Sequence, residues 1–213
     1  EGSTIPFARA LHTGSNCQIE EACQHLLGCK GQRVLEWTFA AALDPQTLTL
    51  EDLPTFEDRD LLAHFVGNWY KDSWTRELED SFIRNTGSNI FHTVPEDVRL
   101  ETLKHSKVSL GFSSDENIEL GVVTERVYEG LAYGCVVLTD NPAAVPKTEE
   151  IAVLVTSFED LKQKLEFYSS NRTAFEEKQQ AGLEFIRRRG TYSSLVTRLI
   201  EVAKEVYPCH PSD

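Results

Sequence analysis

The sequence predicts an α/β fold: a parallel sheet with helices on both faces, followed by a helical C-terminal tail. Three observations predict it. Short apolar runs rich in Val, Ile and Phe alternate with helical stretches between residues 33 and 157, the pattern of parallel strands joined by crossovers. The stretch "VVTERVYEGLAYGCVVLTDN", residues 122–141, opens like a helix and closes like a buried strand. From about Phe158 to Tyr207 the apolar residues recur at helical spacing.

The elements follow in order. Residues 1–31 hold a Gly/Ser-containing start, an amphipathic helix at "QIEEACQHLLG" and a glycine stop. They read as a remnant of a preceding domain or a helical appendage, with the domain proper at 32–213. "RVLEWTF" is the first strand, and "DPQTLTLEDLPTFEDRD" at 44–60 is an acidic, proline-bearing connection. "LLAHFVGN" is a strand, "DSWTRELEDSFIRN" a helix, and "SNIFHTV" a strand. "PEDVRLETLKH" is a helix, with Pro95 fitting its first turn and Asp97 its positive end. "KVSLGFS" is a strand, "SSDENIELG" a long polar loop, "TERVYEGLAYG" a helix, and "GCVVLTD" and "IAVLVTS" are strands. Right-handed crossovers then place helices on both sheet faces. In the tail, Leu161, Leu165 and Tyr168 share one helical face, and Leu195, Leu199, Val202 and Val206 share another. Asn171 of "NRT" reads as a helix N-cap rather than a glycan site, Gly190 as a helix end and Thr191 as the next cap.

Composition narrows the function classes. The 213 residues carry 34 Asp+Glu against 21 Lys+Arg, a formal charge of −13. That balance argues against general nucleic-acid or anionic-membrane binding, while a few local donors suffice for a phosphate ligand. No apolar run approaches the ~20 residues of a membrane span, and the first residues lack a signal peptide's apolar centre, so a cytoplasmic location is expected. The absence of methionine suggests a piece of a longer protein. Cys17, Cys23 and Cys29 recur every sixth residue without a C-x-x-C or a nearby histidine pair. The cysteines are therefore expected to be reduced and structural, with no metal site.

In open α/β sheets, ligands sit beyond the carboxyl ends of the strands, which points to four loops. The first, "GNWYKDSW", offers Gly67 and Asn68 for close backbone approach and Lys71 or Arg76 for phosphate, and a plain strand–helix turn is its alternative reading. It lacks G-x-G-x-x-G, so a nicotinamide dinucleotide is disfavoured. The second offers the backbone of Thr93 and Val94 to a base edge, next to His92, which reads as a packed strand residue. The third, about ten residues long, exceeds the usual 2–6 of such connections and leads into Thr124, Glu125, Arg126 and Glu129. A helix start favours an anion. Arg126 and Glu129, three apart, share a face; as a bare surface pair they would contribute only ~0.2–0.5 kcal/mol. Arginine can give a diphosphate two parallel charge-assisted bonds, and a carboxylate one turn on can accept ribose hydroxyls. In the fourth, Asp140 is either an Asx turn or a sugar-hydroxyl contact.

"LDP" at 43–45, "FVGN" at 65–68, "RVYEGLAYGCVVLTD" at 126–140, "EDLKQKLEFYSSN" at 159–171 and "RRRGTY" at 187–192 together resemble the C-terminal, donor-binding domain of GT-B-fold glycosyltransferases. The resemblance is strongest to the spore-protein CgeB-like group and covers about residues 34–213. It implies a Rossmann-like domain, one half of a GT-B fold, that binds a nucleoside-diphosphate sugar such as a UDP or GDP sugar and passes the sugar to an acceptor. Glu129 would hold the donor ribose; Arg126 and Gly67 would lie near the diphosphate. Charge on the leaving diphosphate would be met by the helix terminus with Arg126 and Lys71, without a dedicated metal or other cofactor. The acceptor-binding N-terminal domain would be missing from this stretch of chain. Many relatives carry a second glutamate eight residues before the ribose-binding one, where this chain has Gly121, with Glu116 and Glu119 as nearby substitutes. Two alternatives share the fold: a non-catalytic nucleotide- or sugar-binding module, and an exostosin-like glycosyltransferase, whose "GC-x-P" strand this chain lacks.

Overall fold

The computed structural model describes residues 41, 49–65, 83–85 and 95–206. Five strands, β1 (Leu61–Phe65), β2 (Ile83–Asn85), β3 (Ser106–Leu110), β4 (Val136–Thr139) and β5 (Val153–Leu154), form one sheet in the order β2-β1-β3-β4-β5. Every pairing is parallel. The described helices are α1 (Glu96–Lys104), α2 (Asp115–Glu119), α3 (Glu125–Ala132), α4 (Ala144–Lys147), α5 (Phe158–Ser170), α6 (Arg172–Phe185) and α7 (Tyr192–Val206), with a π-helical turn at Ile186–Gly190. This is the parallel α/β sheet expected from the alternating pattern and the Rossmann-like domain that the resemblance implied. Among the described residues no helix is long and apolar enough to cross a membrane.

Strand side chains alternate between faces, and both faces are covered, as parallel sheets require. Ala63, Phe65, Val108, Leu110, Val136 and Leu138 belong to one buried cluster with Leu161 and Leu165 of α5 and Phe175 of α6. Val137 belongs to another, with Leu103 of α1, Val127 and Leu131 of α3, and Phe185 and Ile186. Each large apolar side chain so buried contributes ~1.5–3 kcal/mol relative to exposure. Gly130 sets how close α3 lies to the sheet. A Cβ there would stand 2.8 Å from the Ser109 Cβ and from Val137 Cγ2.

Two elements differ from the sequence reading. "DSWTRELEDSFIRN" was expected to be helical through Asn85, yet residues 83–85 form β2, paired with Ala63, His64 and Phe65. Pairing along the sheet edge overrides local helix preference there. The polar loop "SSDENIELG" contains α2, because the Ser114 side chain accepts from Asn117 N and Asp115 and Glu116 occupy the first turn. The strands expected at 33–39 and 88–94 and the helix at 18–28 lie outside the described residues, except that Ala41 bonds beside the tail. Its N–H donates to the Gly190 carbonyl at 2.7 Å, and Tyr192 N–H donates to its carbonyl at 3.3 Å.

The tail follows its caps. Ser157 accepts from Asp160 N, and Asn171 accepts from Ala174 N. Thr191 and Ser194 cap reciprocally: each backbone N–H donates to the other's hydroxyl oxygen at 3.2 Å.

Candidate functional site

The carboxyl ends of β1, β3 and β4 form one rim, and two loops build it. After β3, Gly111 N–H donates to the Leu138 carbonyl at 2.7 Å, and Thr139 Oγ1 donates to the Gly111 carbonyl at 2.9 Å. The start of the loop after β3 is thereby locked to the end of β4. Asp140, only 8% exposed, accepts Ser113 N–H on Oδ1 at 2.9 Å. The Asx turn considered for Asp140 belongs instead to the next residue: Asn141 Oδ1 accepts Ala143 N–H at 3.0 Å. Asn141 Nδ2 donates to the Val122 carbonyl at 2.8 Å, which ties the β4 loop to the segment entering α3.

That entry turns at Gly121, whose φ of +64° favours glycine, so the position where many relatives carry a glutamate is here a tight turn. Thr124 occupies the N-cap position of α3 without a side-chain capping bond. Its Oγ1 is buried with no hydrogen-bond partner among the described residues, and so is the Oγ of Ser113. Ser113 is 2% exposed. A buried hydroxyl left unpaired costs ~1–3 kcal/mol, which makes two of them at one rim notable.

Arg126 and Glu129 do not form the bare surface pair that their spacing allows. Arg126 reaches across the strand ends, donating from Nη1 to the Phe112 carbonyl at 2.9 Å. Its guanidinium carbon lies 5.3 Å from the centroid of the Phe65 ring at the end of β1. Glu129 Oε2 accepts from Arg99 Nη1 of α1 at 2.6 Å, with the two side chains only 15% and 19% exposed. Glu125, one turn earlier, has its carboxyl pKa raised by burial and by the neighbouring Glu129, with Arg99 acting against the rise.

The rim therefore offers a cation, helix N–H groups and two unpaired hydroxyls, with a carboxylate one turn along. Charge-assisted donors of this kind suit phosphate oxygens, and carboxylates suit sugar hydroxyls. Of the expected residues, Thr124, Glu125, Arg126, Glu129 and Asp140 cluster on α3 and the β4 loop; Gly67, Asn68, Lys71, Thr93 and Val94 lie outside the described residues. Sequence reasoning placed Asn141 on the loop at this edge without its role and missed Arg99 and Ser113, because these roles come from contacts between elements. A groove of about 460 Å³ lined by Asp60, Asp97, Glu101 and His105 lies at the opposite, amino end of β1 and is too acidic for an anion.

No curated protein matches the chain. Among solved structures, a glycosyltransferase from Rickettsia africae ESF-5 superposes with a TM-score of 0.55 at 12% identity, over 90% of this chain and 62% of that one. An α1,3-fucosyltransferase superposes at 0.44 and 12% identity, over 76% and 47%. An α1,3-fucosyltransferase with GDP gives 0.45 and 12%, over 76% and 49%. The chain thus spans less than two thirds of the length of each, and the first of these likenesses shows a shared fold. The model of the family described as glycosyl transferase-like matches residues 49–201, a stretch that holds β1 to β5 and the whole described rim, and the chain belongs to that family.

Proposed function

We propose that this chain is the donor-binding half of a glycosyltransferase, taking a sugar from a nucleoside-diphosphate sugar and passing it to an acceptor hydroxyl. The observation that carries this reading is the Arg126 guanidinium held at the strand ends by the Phe112 carbonyl, on a rim where the buried hydroxyls of Ser113 and Thr124 have no partner among the described residues. Such a rim is where open α/β sheets hold ligands. In the reaction, the bond between the anomeric carbon and the diphosphate oxygen breaks, and its electron pair leaves on the diphosphate. The acceptor oxygen bonds to that carbon, and its proton passes to a base that the acceptor-binding domain would supply. The α3 N-terminus, Arg126 and Lys71 would stabilise the departing charge without a dedicated metal. Glu129 and Asp140 would take sugar hydroxyls, and Gly67, Asn68, Thr93 and Val94 would approach the phosphates and the base by their backbone.

Within the family we place the chain nearest the CgeB-like group. The motif "RVYEGLAYGCVVLTD" supports this, forming one helix–strand unit through α3 and β4. An acceptor-binding domain preceding residue 32 and a cytoplasmic location belong to the same proposal.

The test is a thermal-shift panel of UDP, GDP and their sugar derivatives on this chain. The wild type is expected to be stabilised by at least one of them. Arg126→Ala should weaken binding roughly tenfold or more, since a hydrogen bond to a charged group contributes ~1.5–3 kcal/mol, and Glu129→Ala should weaken it as well. A wild type indifferent to every nucleoside diphosphate would refute the donor site. Binding without turnover by the longer natural chain would identify a binding module instead.

A further inference from the structure

We propose that Arg99 is a positioning residue for the donor, anchoring one carboxylate oxygen of Glu129 so that the other is presented to a ribose hydroxyl. The inference rests on reading Glu129 as the ribose-binding carboxylate. It starts from an asymmetry in the pair. Oε2 of Glu129 accepts from Arg99 Nη1 at 2.6 Å, while Oε1 receives no hydrogen bond from the described residues. Both side chains are largely buried, so the pair is shielded from solvent screening and holds one geometry.

The surroundings explain why an anchor is needed. Glu125 precedes Glu129 by four residues on α3, and like charges at that spacing repel. Without the α1 cation, the Glu129 carboxylate would turn away from Glu125, carrying Oε1 with it. With Oε2 bonded to Arg99, Oε1 is the oxygen left open to the ribose.

The experiment measures the affinity of the full chain for UDP and GDP, for their 2′-deoxy and 3′-deoxy analogues, and for pyrophosphate. In the wild type, one of the two deoxy analogues should bind about tenfold more weakly than its parent, the effect of one lost hydrogen bond to a charged acceptor. Arg99→Ala should weaken the parent nucleotide more than pyrophosphate and bring that ratio towards one; Arg99→Lys should restore part of the discrimination. A general structural defect would lower all affinities together and leave the ratio intact. If Arg99→Ala keeps the wild-type ratio, the positioning role is overturned while the donor site stands. If the wild type binds no nucleoside diphosphate, the donor site itself has failed. Arg99→Gln, which keeps most of the side chain without its charge, replaces the alanine variant should that one not fold by circular dichroism.

Discussion

Replacing Arg59 by alanine should cost this fold about 2–4 kcal/mol. Arg59 sits in the connection before β1 and is 1% exposed. It donates to the Ser106 carbonyl at 2.6 Å and the Tyr133 carbonyl at 2.8 Å, with a longer bond to Pro54 at 3.3 Å. Its guanidinium also lies 5.4 Å from the Phe175 ring centroid. One side chain therefore ties the start of β3, the turn into β4 and α6. No carboxylate among the described residues pairs with it, and burial pushes its pKa below the ordinary value, opposed by Cys135. The two short bonds are charge-assisted, each worth ~1.5–3 kcal/mol. Their loss is offset by releasing a buried charge, which carries a penalty of several kcal/mol, and Ser106 O keeps the Cys135 thiol at 3.4 Å. The net loss should lower Tm by roughly 10 °C in a domain of this size. Urea unfolding followed by far-UV circular dichroism measures it, with m unchanged. Arg59→Met, which retains contact with Phe175 and removes the charge, should lose less than half as much. An alanine variant within about 0.5 kcal/mol of wild type, the range of ordinary surface substitutions, would show that the guanidinium is not a tie.

Gly130→Ala puts a Cβ 2.8 Å from Ser109 and Val137, so overpacking should cost ~1–3 kcal/mol and weaken nucleotide binding as α3 is pushed off the sheet; both are measurable by thermal shift with and without UDP or GDP. Asp160 accepts Thr156 N–H at 2.9 Å and Lys164 Nζ, and these bonds, Lys164's first, hold its pKa below the ordinary value of 3.8. Because the folded pKa is depressed, its stabilisation is present above the unfolded pKa and is lost as pH falls through the folded one. Asp160→Ala should therefore cost ~1 kcal/mol at pH 7 and progressively less below about pH 4. Cys135 is buried, and burial raises its thiol pKa despite Arg59; site-resolved mass spectrometry should find it alkylated only in denaturant.

The parts of this molecule that could be read from sequence are those set by local chemistry. The strands at Leu61–Phe65, Ser106–Leu110 and Val136–Thr139 announce themselves as apolar runs because both faces of a parallel sheet are buried. Asn171 and Thr191 cap helices by bonds three residues away, a range that a sequence displays. What escaped depends on partners distant in the chain. β2 exists because residues 83–85 align with β1, and nothing in "FIRN" says so. Arg59 lies in a stretch read only as an acidic, proline-bearing connection; its acceptors are 47 and 74 residues away. The same holds at the rim. The helical spacing of Arg126 and Glu129 was legible, whereas their separate partners, Phe112 and Arg99, 14 and 30 residues away, were not.

The charge at the rim favours a particular class of ligand. Counting described side chains, Arg99 and Arg126 face Glu125, Glu129 and Asp140, so the site is no cationic patch, in keeping with the chain's −13. A bare phosphate would meet nearly as much repulsion as attraction from these side chains, apart from the ~+0.5 charge equivalent at a helix N-terminus. A ligand that is anionic in one part and rich in hydroxyls in another meets a different balance. On the proposed donor reading its diphosphate would take the N–H groups and the Arg126 guanidinium. On the same reading its sugar hydroxyls would donate to these carboxylates, of which Glu125 has its pKa raised first by burial and then by Glu129. Pyrophosphate should therefore bind more weakly than UDP or GDP, and lowering the pH towards the Glu125 pKa should improve pyrophosphate binding more than nucleotide binding. The opposite order, pyrophosphate tighter than either nucleotide, would mean that the carboxylates serve packing alone.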